Sequence, residues 1–229
     1  MVHHVTRFSD AYSAWENWNQ TSFDARKESI LTLCSQLSAP VLSAFNYQIT
    51  HASQHLAQTH QLVGPTGETN ELYTAGRGVA VIIQDELSTR AQQCAAAQVA
   101  AAIIAGNGVI LCSDDTAFSS LLENAFMQSA LPANLIQFAS NDAYQQLLES
   151  DVRIVGYVGN SAVEMQLNRQ LAKRHGAIVS LVSETDTTNM PVALDPQLSL
   201  RFITERTRTI NITAVGGNTT LLELGSEAH

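Results

Sequence analysis

Residues 101–115 read Ala-Ala-Ile-Ile-Ala-Gly-Asn-Gly-Val-Ile-Leu-Cys-Ser-Asp-Asp. An alanine-rich helix stops at Gly106, turns through two residues and feeds a short apolar strand over 109–111. That joint, repeated, builds a parallel α/β sheet. The strand then runs into a thiol and two acids, Cys112 and Asp114-Asp115, where a pocket for an anionic cofactor calls for a cation.

The pattern extends in both directions. Upstream, Gly76-Arg77-Gly78 precedes Val79-Ala-Val-Ile-Ile83, a continuous apolar run that suits a strand covered on both faces. A helix is predicted over 88–105. Downstream, helices over 117–129, 142–149 and 161–175 alternate with strands over 135–138, 152–158 and 177–182, with Gly176 as a C-cap. The expected fold is therefore α/β, a Rossmann-like doubly wound parallel sheet. Three helices precede it. Phe8, Tyr12, Trp15 and Trp18 recur at helical spacing, with Ser9-Asp10 as a cap. The second helix, over 24–37, carries Ile30, Leu31, Cys34 and Leu37 on one side, and the third runs from Pro40 to about His60. Turn formers fill 63–70 and a short strand is expected over 71–74. From Phe202 to Val215 the chain is β-branched and partly alternating, Gly216-Gly217-Asn218 signals a turn, and a last strand is expected over 219–224. The division is 1–62 for N-terminal helices packing on the core, 63–200 for the Rossmann-like part and 201–229 for a β-flap or hairpin arm, one structural domain in all. Two strands alone are marginal in water, so the arm must lie on something.

The 229 residues are 45% apolar, enough for a full core, and carry a formal net charge of -9, which argues against phosphate-backbone binding. No run of about 18 apolar residues occurs, so no membrane span is expected. The N-terminal stretch has no secretory signal, and the three cysteines, Cys34, Cys94 and Cys112, show no CxxC pairing; a cytoplasmic setting with free thiols is expected.

Several strings resemble the aldehyde dehydrogenase superfamily: Gly78-Val-Ala-Val-Ile-Ile, Gln98-Val-Ala-Ala-Ala, Ala105-Gly-Asn-Gly-Val-Ile-Leu, Leu131-Pro-Ala-Asn-Leu-Ile and Val155-Gly-Tyr-Val-Gly-Asn-Ser-Ala-Val. The ends narrow the resemblance. Val63-Gly-Pro-Thr-Gly-Glu-Thr-Asn-Glu-Leu and Arg208-Thr-Ile-Asn-Ile-Thr-Ala-Val-Gly-Gly-Asn-Thr-Thr-Leu-Leu-Glu-Leu-Gly are similar to the C-terminal domain of long proline utilization A proteins. Those flavoenzymes join proline dehydrogenase to pyrroline-5-carboxylate dehydrogenase, and some end in an extra aldehyde-dehydrogenase-like domain without an active site. The resemblance implies that such a domain packs on catalytic modules and helps seal the cavity through which the intermediate passes.

In that family a long catalytic domain with the nucleophilic cysteine follows the element matching 180–186. Here only a loop through Met190-Pro191 and Asp195-Pro196 stands there, and no cysteine occurs after Cys112. Without a thiolate no thioester forms. Where the family has Lys-Pro-Ser-Glu for the adenosine ribose, this chain has Cys112, Ser113, Asp114 and Asp115. Asp115, Gly159, Asn160 and Ser161 are thus the vestigial cofactor positions, with Glu164 where the family's second glycine belongs. A carboxylate there suits the helix dipole, fills the space and repels a phosphate by about 4 kcal/mol at about 4 Å. No cofactor is expected, with NAD binding as the alternative. The general-base position falls on Val182, Glu184 is expected to be a solvated loop acid, and Gln84 is the weak candidate for the oxyanion donor.

His51, His55 and His60 come close to helical spacing but lack a third ligand, so a polar helix face is expected and no metal. The arm is the remaining functional feature. Arg206 and Arg208 are expected edge guards, and Ile210, Ile212, Gly216, Gly217 and Asn218 complete the interaction set. An arm of this kind folds back on its own domain or adds to a partner sheet; the resemblance implies a partner, either a second copy or the catalytic domains of proline utilization A.

Overall fold

The computed structural model describes residues 2–65 and 67–211, with side chains from residue 5 onward. The chain opens with helices α1 (Val2–Trp18), α2 (Phe23–Cys34) and α3 (Val41–His55), then strands β1 (His60–Leu62), β2 (Glu68–Gly76) and β3 (Val79–Gln84). Helices and strands alternate from there: α4 (Thr89–Ile104), β4 (Gly108–Ser113), α5 (Thr116–Met127), β5 (Ile136–Ala139), the single-turn α6 (Tyr144–Leu147), β6 (Ile154–Val158), α7 (Ser161–Ala172) and β7 (Ser180–Glu184). Strand β8 (Ile203–Asn211) ends the described part. The described residues fall into two compact units, one formed by the chain up to 57 with 75–203, the other by 58–74 with 204–211.

In the first unit β3 to β7 form one parallel sheet in the order β5-β4-β3-β6-β7. Every residue of β3, β4 and β6 is buried, as parallel strands covered on both faces require. The small side chains of α4 let it sit between the sheet and the outer helices α2 and α3, and twelve of its residues are buried. Its start is fixed by Ser88, whose hydroxyl accepts from Ala91 N. Its last carbonyls are taken by side chains from elsewhere: Trp18 Nε1 donates to Ile103 O at 2.9 Å and Arg26 Nε to Ile104 O at 3.0 Å. Burial lowers the Arg26 guanidinium to about 10, and carbonyls at the negative end of a helix are what hold it there.

The opposite face of the sheet is covered unusually. The link between β5 and β6 has only a short 3₁₀ turn and α6, which leaves sheet uncovered, and α1 fills the gap. Ala11 of α1 packs with Val79, Val81 and Ile110 in this second core. A Cβ on Gly108 would stand 2.9 Å from the Ala11 carbonyl, so a glycine starts β4 where the helix crosses.

Several expectations are corrected. Helix α1 begins at Val2, so Ser9 and Asp10 are interior and exposed, not a cap. Helix α3 ends at His55 and His60 stands on β1, so the three histidines do not share a helix. Helix α7 ends at Ala172 with Lys173 as its cap; Gly176, at φ +95°, belongs to the turn beyond. Strand β7 runs over 180–184 rather than 177–182, because its register is set by pairing Ser180 with Ile154.

The second unit contains a three-stranded sheet in the order β1-β2-β8. Strand β1 is antiparallel to β2, with His60 opposite Leu72. Arg208 of β8 donates to Glu71, with Nε 2.9 Å from Oε2, and Gln61 donates to the same carboxylate at 3.1 Å. Those bonds hold the Glu71 carboxyl below its ordinary range. Arg206 and Ile210 are exposed. Ile212, Gly216, Gly217, Asn218 and the strand expected over 219–224 lie outside the described residues.

Candidate functional site

In a doubly wound sheet ligands bind beyond the carboxyl ends of the strands, where the strand order reverses. Here that point lies between β3 and β6. Asp114, Asp115, Gln84 and Asn160, which the sequence offers there, each have partners in the chain.

On the β4 side, Asp115 caps α5, accepting from Phe118 N at 3.0 Å, and its other oxygen accepts from Gln92 Nε2 at 2.8 Å. Asp114 accepts from Asn141 N at 2.9 Å. Gln84, fully buried at the end of β3, is turned into the chain: its Nε2 donates to Glu86 O at 3.1 Å and its Oε1 accepts from Ser113 Oγ at 2.9 Å. Asn141 Nδ2 donates to Gln84 O, tying the loop after β5 past β4 to the end of β3. Asn141 went unnoticed in the sequence; its only local signal is the Ser140-Asn-Asp run before the 3₁₀ turn.

On the β6 side, Asn160 caps α7, its Oδ1 accepting from Ala162 N at 3.1 Å and Val163 N at 3.0 Å. Ser161 is the exposed first residue of that helix and Gly159 is buried beneath it. A Cβ on Gly159 would lie 2.4 Å from the Tyr157 hydroxyl. That hydroxyl donates to Asp85 Oδ2 at 3.1 Å, and burial, followed by the Asp85 charge, pushes it above its ordinary range. Glu164, in the first turn of α7, accepts from the Ser183 hydroxyl of β7.

Glu184 overturns its expectation most clearly. It is the last residue of β7 and only 1% exposed, not a solvated loop acid. Its Oε2 accepts from Val192 N at 2.7 Å and Ala193 N at 3.1 Å, and its Oε1 from Asp186 N at 3.3 Å. The loop after β7 is further pinned by Thr187 Oγ1, which donates to Glu86 at 3.1 Å, and by Arg90, which donates to Thr188 O. Asp186 accepts from Asn189 Nδ2 and from the main chain of Thr188 and Asn189, which holds its carboxyl below the usual range. Val182 is buried and apolar.

The three thiols are all buried. Burial pushes Cys34 up to about 11 and Cys94 and Cys112 up to about 12. A raised folded value means that the folded chain keeps protons the unfolded chain releases. The thiols' contribution to stability is therefore full below about 9, the unfolded value, and is lost as pH rises through about 11 and about 12. At pH 8 a disulfide reagent such as Ellman's is expected to label the native chain at least about 100-fold more slowly than free cysteine, for want of thiolate and access. Labelling of one thiol at the free rate would show an accessible nucleophile. Among the described residues no group of His, Cys, Asp and Glu side chains could hold a metal ion, and no helix is long and apolar enough to cross a membrane.

No protein-family model matches the sequence. No curated protein matches it either. Solved structures do match. A structure of proline utilization A with proline bound in remote sites superposes with a TM-score of 0.68 at 22% identity, covering 80% of this chain and 22% of that one. A variant of Bradyrhizobium japonicum proline utilization A gives 0.67 at 22% identity, covering 83% and 23%. The 1-pyrroline-5-carboxylate dehydrogenase from Thermus with bound NAD gives 0.67 at 14% identity, covering 80% and 42%. The chain thus spans less than half the length of each of these proteins. With its five-stranded parallel sheet and flanking helices, the chain has the aldehyde-dehydrogenase-like α/β fold that these structures share.

Proposed function

We propose that this chain is a non-catalytic aldehyde-dehydrogenase-like domain associated with proline catabolism, acting in assembly or in sealing a cavity through which pyrroline-5-carboxylate passes. The observation that carries this reading is the state of the crevice. Asp115, Asn160 and Gln84 each spend their polar groups on the chain's own backbone and side chains. A pyrophosphate at the start of α7 would compete with Asn160 for the N–H groups of Ala162 and Val163 and would face the Glu164 carboxylate. The residues present do not fit NAD. Buried, protonated thiols supply no nucleophile for an aldehyde.

The tight loop after β7, nested on Glu184, stands where the family inserts its catalytic domain. That leaves surface, not chemistry, as the working part. The exposed strand β8 is the expected joining element, and its partner is a second copy or the catalytic domains of proline utilization A. The setting is cytoplasmic.

Two measurements on the isolated chain test this. Supplied with pyrroline-5-carboxylate and NAD, it is expected to form no NADH above the rate without protein; turnover would restore the rival reading, a dehydrogenase-related subunit. Light scattering is expected to give twice the monomer mass of 24.8 kDa. A monomer at all concentrations would remove self-association through the arm.

A further inference from the structure

The end of α7 gathers positive charge that the fold does not use. Between Glu164 and Glu184 the chain has no acid, although acids outnumber Lys and Arg by 21 to 12 overall. Lys173, Arg174 and His175 stand in that stretch, just past the last turn of α7. With Leu148, Glu149 and Gln170 they line a cleft of about 370 Å³. Small-molecule sites run from about 300 to 1,000 Å³. Among the described residues none of the three forms an ion pair within 4.0 Å, not even with Glu149.

Basic side chains after a helix ordinarily complement its negative end. Arg174 is committed elsewhere. Its Nη2 donates at 2.7 Å to Ser150 O, in the loop before β6, which fixes the guanidinium. Its Nε is buried without an acceptor, and Nη1 has no partner among the described residues. The main chain already takes carbonyls at the end of α7, Gln170 O by Lys173 N and Leu171 O by Arg174 N. The Arg174 charge is therefore held in place and left uncompensated. Lys173 and the Gln170 amide add donors on the same cleft, and Leu148, buried, gives it an apolar side. We propose that this cleft binds the phosphate monoester of a small-molecule ligand. Such a group carries about -1.5 to -2 charge near pH 7 and three acceptor oxygens. Two cations and a separate amide donor suit it better than a carboxylate, whose two oxygens are served by one arginine fork. The bland alternative is a solvated basic rim that binds nothing. The cleft lies a full helix length, about 18 Å, from Asn160, so the proposal does not depend on the crevice being closed to NAD.

The probe is phenyl phosphate, titrated into the full chain at constant ionic strength and followed by the amide shifts of nitrogen-labelled protein. Saturable shifts confined to the segments around 148–150 and 170–176 are expected, with a Kd below about 1 mM. Phenylacetate, which has the same ring and a single charge, is expected to bind at least 10-fold more weakly. Lys173→Glu, at an exposed position, should weaken phenyl phosphate at least 10-fold. Glu149→Gln should tighten it about 3-fold by removing the opposing charge, a gain that misfolding cannot produce. Lys27→Gln, on α2 and outside the cleft, should change nothing. No saturable shift, shifts spread over the other basic residues, equal binding of the two probes, or indifference to Lys173→Glu or Glu149→Gln would overturn the proposal.

Discussion

Replacing Glu184 with alanine is expected to lower the free energy of unfolding by about 3 kcal/mol, because buried N–H groups left without an acceptor cost about 1–3 kcal/mol each. The carboxylate holds the N–H groups of Val192 and Ala193 at 2.7 and 3.1 Å, and among the described residues no other side chain accepts from them. For a chain of this size that corresponds to a fall in Tm of about 6–12 °C. Glu184→Gln keeps one acceptor oxygen and is expected to lose about half as much. Urea unfolding measures both, and limited proteolysis of Glu184→Ala should cut first within 185–195, where the loop is released. A loss under about 0.5 kcal/mol for the alanine variant, the scale of ordinary surface substitutions, would mean that the loop is held by something other than this carboxylate.

Asn107→Ala is expected to cost about 4 kcal/mol, at the upper end for single substitutions. This fully buried side chain uses both ends twice. Its Oδ1 accepts from Arg77 N at 2.7 Å and Gly78 N at 3.2 Å, and its Nδ2 donates to Ala102 O and Phe202 O, each at 2.9 Å. It therefore joins the start of β3, the end of α4 and the segment entering β8. The space is equally committed, since a Cβ on Gly76 would lie 2.3 Å from Gly106 O. Asn107→Asp is expected to be at least as damaging as alanine, because it turns an oxygen and a charge towards two carbonyls. Urea denaturation of the two variants decides it. An aspartate variant milder than the alanine one would mean that the Nδ2 bonds carry little of the effect.

The sequence disclosed the elements better than their joints. The run 79–83 reads as a strand covered on both faces because nothing polar interrupts it, and it is one. The alanine-rich run 88–105 reads as a helix, and it is one over Thr89–Ile104, with Ser88 just outside as its cap, accepting from Ala91 N. Tertiary partners leave no such mark. Glu184 sits two residues past an apolar position and looks like a loop acid; what buries it is the main chain eight and nine residues later. Arg26 looks like a surface base on a polar helix, yet it reaches Ile104 O across 78 positions. The 177–179 stretch is apolar enough to read as strand, but Ile178 is 90% exposed because the ladder with β6 starts only at Ser180. The candidate site was legible as a set of positions, 115 and 159–161. Their bonding to Gln92, Phe118, Ala162 and Val163 was not, since one set of cap residues reads alike whether it holds its own helix or a ligand.

On the reading proposed above, the crevice between β3 and β6 is spent on the fold. Calorimetric titration of the purified chain with NAD, carried into the low millimolar range, addresses it directly. Heats of dilution alone are the predicted result. A saturable isotherm with a Kd in the micromolar range would show the crevice open to the cofactor, because a pyrophosphate would then be displacing Asn160 from the N–H groups that start α7.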